Sequence, residues 1–440
     1  MKAPDDNDLL RDGKLPEDPA EGAGPAPEPP REETTEERAL REQQEAAAKA
    51  EALLNQEASK RLRAATTILD SLPTRWTHPP PATSTGLVQL DRVLNGGLRG
   101  GDLIALSGAA KAGKSTLAGQ IAYEFAKPPG GQSTLGLDAV DEPRGVVIYV
   151  SVEMPEHEIV ARWITREAFF LTLERRTPWI SYSAVLYGSA WRNEVTQDPM
   201  RNHAIHKTLV DAMHKVGSVV GPSSLPHVFI QRAPSGTTPW DIRRLVRAAR
   251  AAHAPGAPAL LVVDPLQRLF AGGLGQLQGK ALDQVNASEV ERVARVAEQL
   301  KTIADDDDVA VLFTSDTTKE AVRTSGGSST GLRGSYALNH WATAIFGLHV
   351  SADPEELASR LVEGGVVPKN DKGALEARLR HEAVPGWFER DSAITELGRR
   401  YAFADCSGAR NGAESHLLMG YVKGAMTFVE GDSTRTMVEV

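Results

Sequence analysis

The stretch Gly108-Ala109-Ala110-Lys111-Ala112-Gly113-Lys114-Ser115-Thr116 decides how this chain is read. It follows the apolar run Leu103-Ile-Ala-Leu106 and opens the helical pattern Leu117 to Phe125. The form G-x-x-x-x-G-K-[ST] therefore lies on a strand–turn–helix junction. A loop of this kind turns backbone N–H groups toward an anion at a helix N-terminus. Gly108 and Gly113 permit the close approach, Lys114 sets a point charge among the β- and γ-phosphates, and Ser115 offers a hydroxyl to Mg2+. Residues 108–116 are thus expected to hold a nucleoside triphosphate, with ATP and Mg2+ as the cofactors.

Outward from the loop, apolar β-branched runs alternate with helical patterns. Val146–Val150, Ala259–Val263 and Val309–Phe313 read as buried strands, and His227–Ile230 as a further one. Helices are expected over Pro155 to about Arg175, Asn202–Lys215, from Thr238 to Ala252, and over Ser288–Ala304. This alternation predicts an α/β fold with a mostly parallel central sheet flanked by helices. Late strands are expected at Ala342–Val350, Tyr401–Asp405 and His416–Tyr421, and residues 351–400 read as a charged helical insertion. The acidic run Asp305–Asp308 reads as a solvated cap or turn rather than a metal site.

Composition bounds the rest. Residues 1–33 are rich in Pro, Glu, Asp and Gly, and read as a disordered acidic tail. Residues 34–75 favour helix, with an apolar stripe from Leu54 to Leu72 that suggests docking on the main domain or on a neighbouring subunit. The main domain is placed at 76–440. No apolar run approaches a membrane span and the acidic N-terminus is no signal peptide, so a cytoplasmic protein without membrane contact is expected. The single cysteine, Cys406, excludes an internal disulfide and a cysteine-based zinc site. Net charge is −9, most of it on residues 1–75, so there is no global basic signature of nucleic-acid binding.

Hydrolysis needs a carboxylate near the metal, a group that activates water and positive charge on the transition state. Asp264 ends the run Leu260–Val263, where a metal-site carboxylate belongs at the carboxyl edge of a parallel sheet. Glu153, just past the strand Val146–Val150, is placed to polarise the attacking water. Its alternative role is an early helix residue favoured by the macrodipole.

The order Ser84-Thr-Gly86, Leu90-Asp91, Gly96-Gly97-Leu98, phosphate loop, Glu153-Met-Pro155, Asp264-Pro-Leu-Gln267, Gly236-Thr-Thr-Pro239, Glu289, Leu332-Arg333-Gly-Ser335 and Arg410-Asn-Gly412 resembles the RecA-fold ATPase domain of DnaB-type replicative helicases. The opening segment is also similar to RadA- and KaiC-type ATPases. The DnaB resemblance implies a RecA-like core, ATP hydrolysis with Glu153 as the base, and single-stranded DNA held by loops around 268–285 and 320–336. It also implies a homo-oligomer, a hexameric ring, with Arg410 as an arginine finger reaching a neighbour's γ-phosphate. The alternative for Arg410 is a surface arginine in a hairpin turn. Arg333, Arg323 and Lys319 are the nucleic-acid candidates, alongside Arg268 and Lys280. The chain departs from the family at Asp316, in a slot that holds a γ-phosphate-sensing glutamine, and at Gly408, in place of a lysine. A competing expectation is a regulatory or scaffolding ATPase that engages a protein partner through the N-terminal helix or residues 351–400.

Overall fold

The computed structural model describes residues 38, 41–49, 51, 65–77, 81–128, 145–222, 224–234, 236–271, 289–317, 338, 340–363, 366–381, 384–385, 388, 392–407 and 415–431. The chain divides after Pro79 into two units. In the first, residues 41–49 are helical and α1 (Ala65–Thr77) runs through Pro73.

The second unit is built on one nine-stranded sheet. Its strands are β1 (Leu103–Gly108), β2 (Val146–Ser151), β3 (Val228–Arg232), β4 (Ala259–Asp264), β5 (Ala310–Asp316), β6 (Ala344–Ser351), β7 (Arg399–Ser407), β8 (Ser415–Val422) and β9 (Thr427–Val429). They lie in the order β3-β2-β4-β5-β1-β6-β7-β8-β9. From β3 to β6 every pairing is parallel, and β6 to β9 continue as antiparallel neighbours. The expected α/β class with a mostly parallel sheet is what is observed.

Strand periodicity explains the layering. Along β1, Leu103 and Ala105 face one side and Ile104 and Leu106 the other, and all four are buried. On one face Ile104, Leu106, Tyr149, Val262 and Leu312 pack with α3 (Lys114–Phe125) and α4 (Glu156–Arg175). The opposite face packs with α7 (Pro239–Ala251) and α8 (Glu289–Asp306) through Ile242, Val246, Val293 and Leu300. Between α4 and β3 lie α5 (Tyr182–Leu186) and the long α6 (Pro199–Val220). Helix α6 starts earlier than its apolar pattern implies, because Asp198 caps it and Pro199 occupies the first turn. Thr238 and Asp241 form a reciprocal capping box on α7.

Two segments differ from expectation. Asp307 is not a solvated cap. Arg243 Nε and Arg247 Nε, one turn apart on α7, donate to its carboxylate at 2.6 and 3.0 Å, and little of that carboxylate is exposed. Residues 351–400 do carry helices, α9 (Pro354–Glu363), α10 (Lys372–His381) and α11 (Ser392–Glu396). Their Leu357, Leu361 and Leu379 are buried in one cluster with Tyr401, Phe403 and Leu418, so this segment covers the late strands.

The chain returns to its own beginning through side chains. Ahead of β1 lies α2 (Val88–Val93), and buried Glu430 accepts from Val88 N and Gln89 N at its start, at 2.6 and 3.1 Å. Gln120 on α3 takes the place of a strand neighbour for β9. It donates to Phe428 O at 3.0 Å and accepts from Phe428 N at 2.8 Å. Cys406 is buried within β7.

Candidate active site

The loop Gly108–Gly113 joins β1 to α3. It is shaped by two close approaches. A Cβ on Gly108 would come within 2.6 Å of Leu348 O, and one on Gly113 within 2.9 Å of the Phe428 ring. Gly113 also has φ 92°, the left-handed region that only glycine enters cheaply, and it caps α3 with no side-chain hydrogen bond. The first N–H groups of α3 are thereby left for a ligand, since no helix satisfies its own first turn. Behind the loop, Tyr421 and Phe428 stack with ring centres 4.4 Å apart.

Lys114 is buried, and its Nζ donates to Gly108 O and Ala109 O, each at 2.9 Å. It also pairs with Asp316 Oδ1 at 2.8 Å. Ser115 Oγ donates to Asp264 Oδ1 at 3.0 Å, joining the loop to the end of β4 across the sheet. Asp264 is 4% exposed and accepts two further bonds, from Tyr149 OH to Oδ2 at 3.0 Å and from Thr314 Oγ1 to Oδ1. Burial, and then the charge of Asp264, push the Tyr149 phenol well above its ordinary pKa. It therefore stays protonated and remains a donor.

Glu153 sits on the turn after β2. That turn is fixed by Val152 N donating to Asp264 O at 2.9 Å and Met154 N to Ser151 Oγ at 2.9 Å. The register pairs Ser151 with Asp264, so the two carboxylates leave the same edge of the sheet. Glu153 forms an ion pair with Arg268 at 3.0 Å, with more than half of each side chain exposed. Such a pair contributes at most about 1 kcal/mol and rearranges readily. Beside Asp264, Gln267 donates to Ser315 Oγ at 2.6 Å.

These residues fit the group that the loop motif implies. A serine hydroxyl against a buried carboxylate is a hard-oxygen donor set suited to Mg2+, which takes few protein ligands and completes its shell with phosphate and water. No cluster of three or more His, Cys, Asp or Glu able to hold a metal exists among the described residues.

The structure thus brings Lys114, Ser115, Asp264 and Glu153 to one edge, along with residues the sequence pattern did not single out. Tyr149 and Thr314 each place a polar tip in an otherwise apolar strand, a signal that a partner is waiting. Arg162 on α4 approaches Thr116 Oγ1 at 3.5 Å, over a small pocket lined by Gly119, Met154 and Met426. Arg268, read from sequence as a loop cation, faces Glu153 instead. Arg410, Arg333, Arg323 and Lys319 lie outside the described residues, as do Gly408 and Lys280.

A phosphate loop leading into a helix, with a buried carboxylate on a nearby parallel strand, defines a P-loop nucleotide-binding core. The chain belongs to the AAA domain family, whose model matches residues 83–322. None of the curated proteins matches it in sequence. Among solved structures, the ATPase domain of a DnaB-like replicative helicase is similar with a TM-score of 0.54 at 16% identity, over 83% of this chain and 97% of that one. A second DnaB-like replicative helicase, described with its interactions with primase, is similar with a TM-score of 0.53 at 16% identity, over 86% of this chain and 70% of that one. These likenesses establish the RecA-like fold of DnaB-like helicase ATPase domains. Among the described residues no helix is long and apolar enough to cross a membrane.

Proposed function

We propose that this protein is an ATP-hydrolysing motor that moves on single-stranded DNA as a ring of identical subunits. The observation that carries the reading is the convergence of Lys114, Ser115, Asp264 and Glu153 on the carboxyl edge of β1, β2 and β4. The loop N–H groups and Lys114 bind the phosphates. Ser115 and Asp264 hold Mg2+, which when bound neutralises phosphoryl charge. Tyr149 and Thr314 hold the Asp264 carboxylate in the orientation that this requires. Glu153, once released from Arg268, accepts a proton from the attacking water. Arg410 supplies the positive charge in trans, and Arg333, Arg323 and Lys319 meet the DNA backbone. The resemblance to DnaB-type helicases supports these last assignments.

The test is ATP turnover with and without single-stranded DNA, on protein whose oligomeric state is measured in the same sample. DNA should accelerate turnover in the assembled form, with an effect that weakens as salt rises. Glu153→Gln should lose turnover and keep nucleotide binding. Turnover unchanged in Glu153→Gln removes Glu153 as the base, and DNA that neither binds nor stimulates removes the motor. The competing reading, an ATPase acting on a protein partner, draws support from Tyr187, Trp191 and Met200, which stand exposed around α5 and α6.

A further inference from the structure

We propose that Asp316 makes this site discriminate between nucleoside triphosphate and diphosphate, by competing with the terminal phosphate for Lys114. The inference rests on the nucleotide reading given above and deepens it.

Its basis is the placement of the carboxylate. Strands β1 and β5 run parallel with Gly108 paired to Asp316, and Thr317 N donates to Gly108 O at 3.3 Å. Backbone register therefore sets Asp316 beside the first glycine of the phosphate loop, between the ends of β1 and β4. A lysine ammonium has three protons to give. Lys114 gives them to Asp316 Oδ1, Gly108 O and Ala109 O, at 2.8, 2.9 and 2.9 Å, so every donor is used.

A phosphate oxygen that engages Nζ must take the place of one of these acceptors. The two carbonyls belong to the loop itself and move with it. Asp316 is the acceptor that can leave, because its side chain is 52% exposed and turns about its own χ angles. Once displaced, it remains a negative charge next to the phosphate that displaced it. The loop lysine serves the β- and γ-phosphates, so a triphosphate meets both the competition and the repulsion more fully than a diphosphate does. Asp316 thus lowers triphosphate affinity selectively, and brings the two nucleotides closer in affinity than a neutral side chain would.

The experiment is calorimetric titration of the full chain with a non-hydrolysable ATP analogue and with ADP, both with Mg2+, for wild type, Asp316→Asn and Lys114→Ala. Asp316→Asn keeps the shape and removes the charge. It should tighten the triphosphate analogue about tenfold and ADP by less than about threefold. The differential gain should shrink between low and high salt, as a charge effect at a half-exposed position must. Equal tightening of both nucleotides, or none, overturns the inference while lost binding in Lys114→Ala keeps the loop as the nucleotide site. Wild-type binding of both nucleotides by Lys114→Ala overturns the nucleotide assignment, and this inference with it.

Discussion

Tyr149→Phe isolates one hydrogen bond on the buried carboxylate and leaves packing in place. Tyr149 is fully buried on β2, and its hydroxyl donates to Asp264 Oδ2 at 3.0 Å. Ser115 and Thr314 both address Oδ1, so among the described residues Oδ2 keeps no other hydrogen bond. Hydrogen bonds to charged groups contribute about 1.5–3 kcal/mol, and an orphaned buried acceptor sits at the upper end of that range. Phenylalanine retains the ring, so no cavity cost is added. Urea denaturation at pH 8 should therefore show a loss of about 1.5–3 kcal/mol. The pH dependence supplies a second signature. Burial raises the Tyr149 pKa above its ordinary 10.0, so the folded protein keeps that proton after the unfolded chain has lost it. Its contribution is complete below pH 10 and declines as pH climbs beyond. Wild type should lose stability in that alkaline window more steeply than Tyr149→Phe. A loss below about 0.5 kcal/mol at pH 8, with parallel alkaline limbs, would refute the idea that this phenol holds the carboxylate.

Two further outcomes follow from buried polar groups. Burial pushes His349 on β6 from an ordinary 6.5 down to about 4, so the unfolded chain takes up this proton before the folded one does. Stability present above pH 6.5 should fall by about 3 kcal/mol toward pH 4, and His349→Leu should remove that part of the acid dependence in a pH series of denaturation curves. Gln120→Leu strips Phe428 N–H of its partner at 2.8 Å. It should cost about 1–3 kcal/mol and speed hydrogen exchange at the Phe428 amide, whereas unchanged exchange would mean that β9 is held by other contacts.

Much of the parallel half of the fold is legible along the chain because its determinants are local. Leu103–Leu106, Val146–Val150 and Ala259–Val263 are continuous apolar runs since both of their faces are covered. Thr238-Pro239 with Asp241 states a helix start in four residues. The phosphate loop, Asp264 and Glu153 read equally well, because each ends a strand. What escapes sequence is chemistry that depends on partners far away. Nothing near Asp307 announces the arginines of α7, and β9 is too short for a period to declare it. Tyr149 and Thr314 carry a hint in their polarity, but their shared target becomes visible only when β2, β4 and β5 lie side by side. Asp316 is the instructive case. Sequence marks it as a departure from a family pattern, and only the β1–β5 register gives it Lys114 as its partner.

The ties from Gln120 to Phe428 and from Glu430 to Val88 carry a consequence for how the molecule comes into being. They link residues more than 300 positions apart, and the Phe428 ring backs Gly113. A chain emerging from the ribosome folds from its N-terminal side first, and contacts of such sequence separation form last. The phosphate loop is made early, but its supporting wall is among the last parts to be synthesised. A nascent subunit therefore lacks a finished nucleotide site until translation has passed Glu430, so premature nucleotide capture by incomplete chains is avoided by the order of assembly alone.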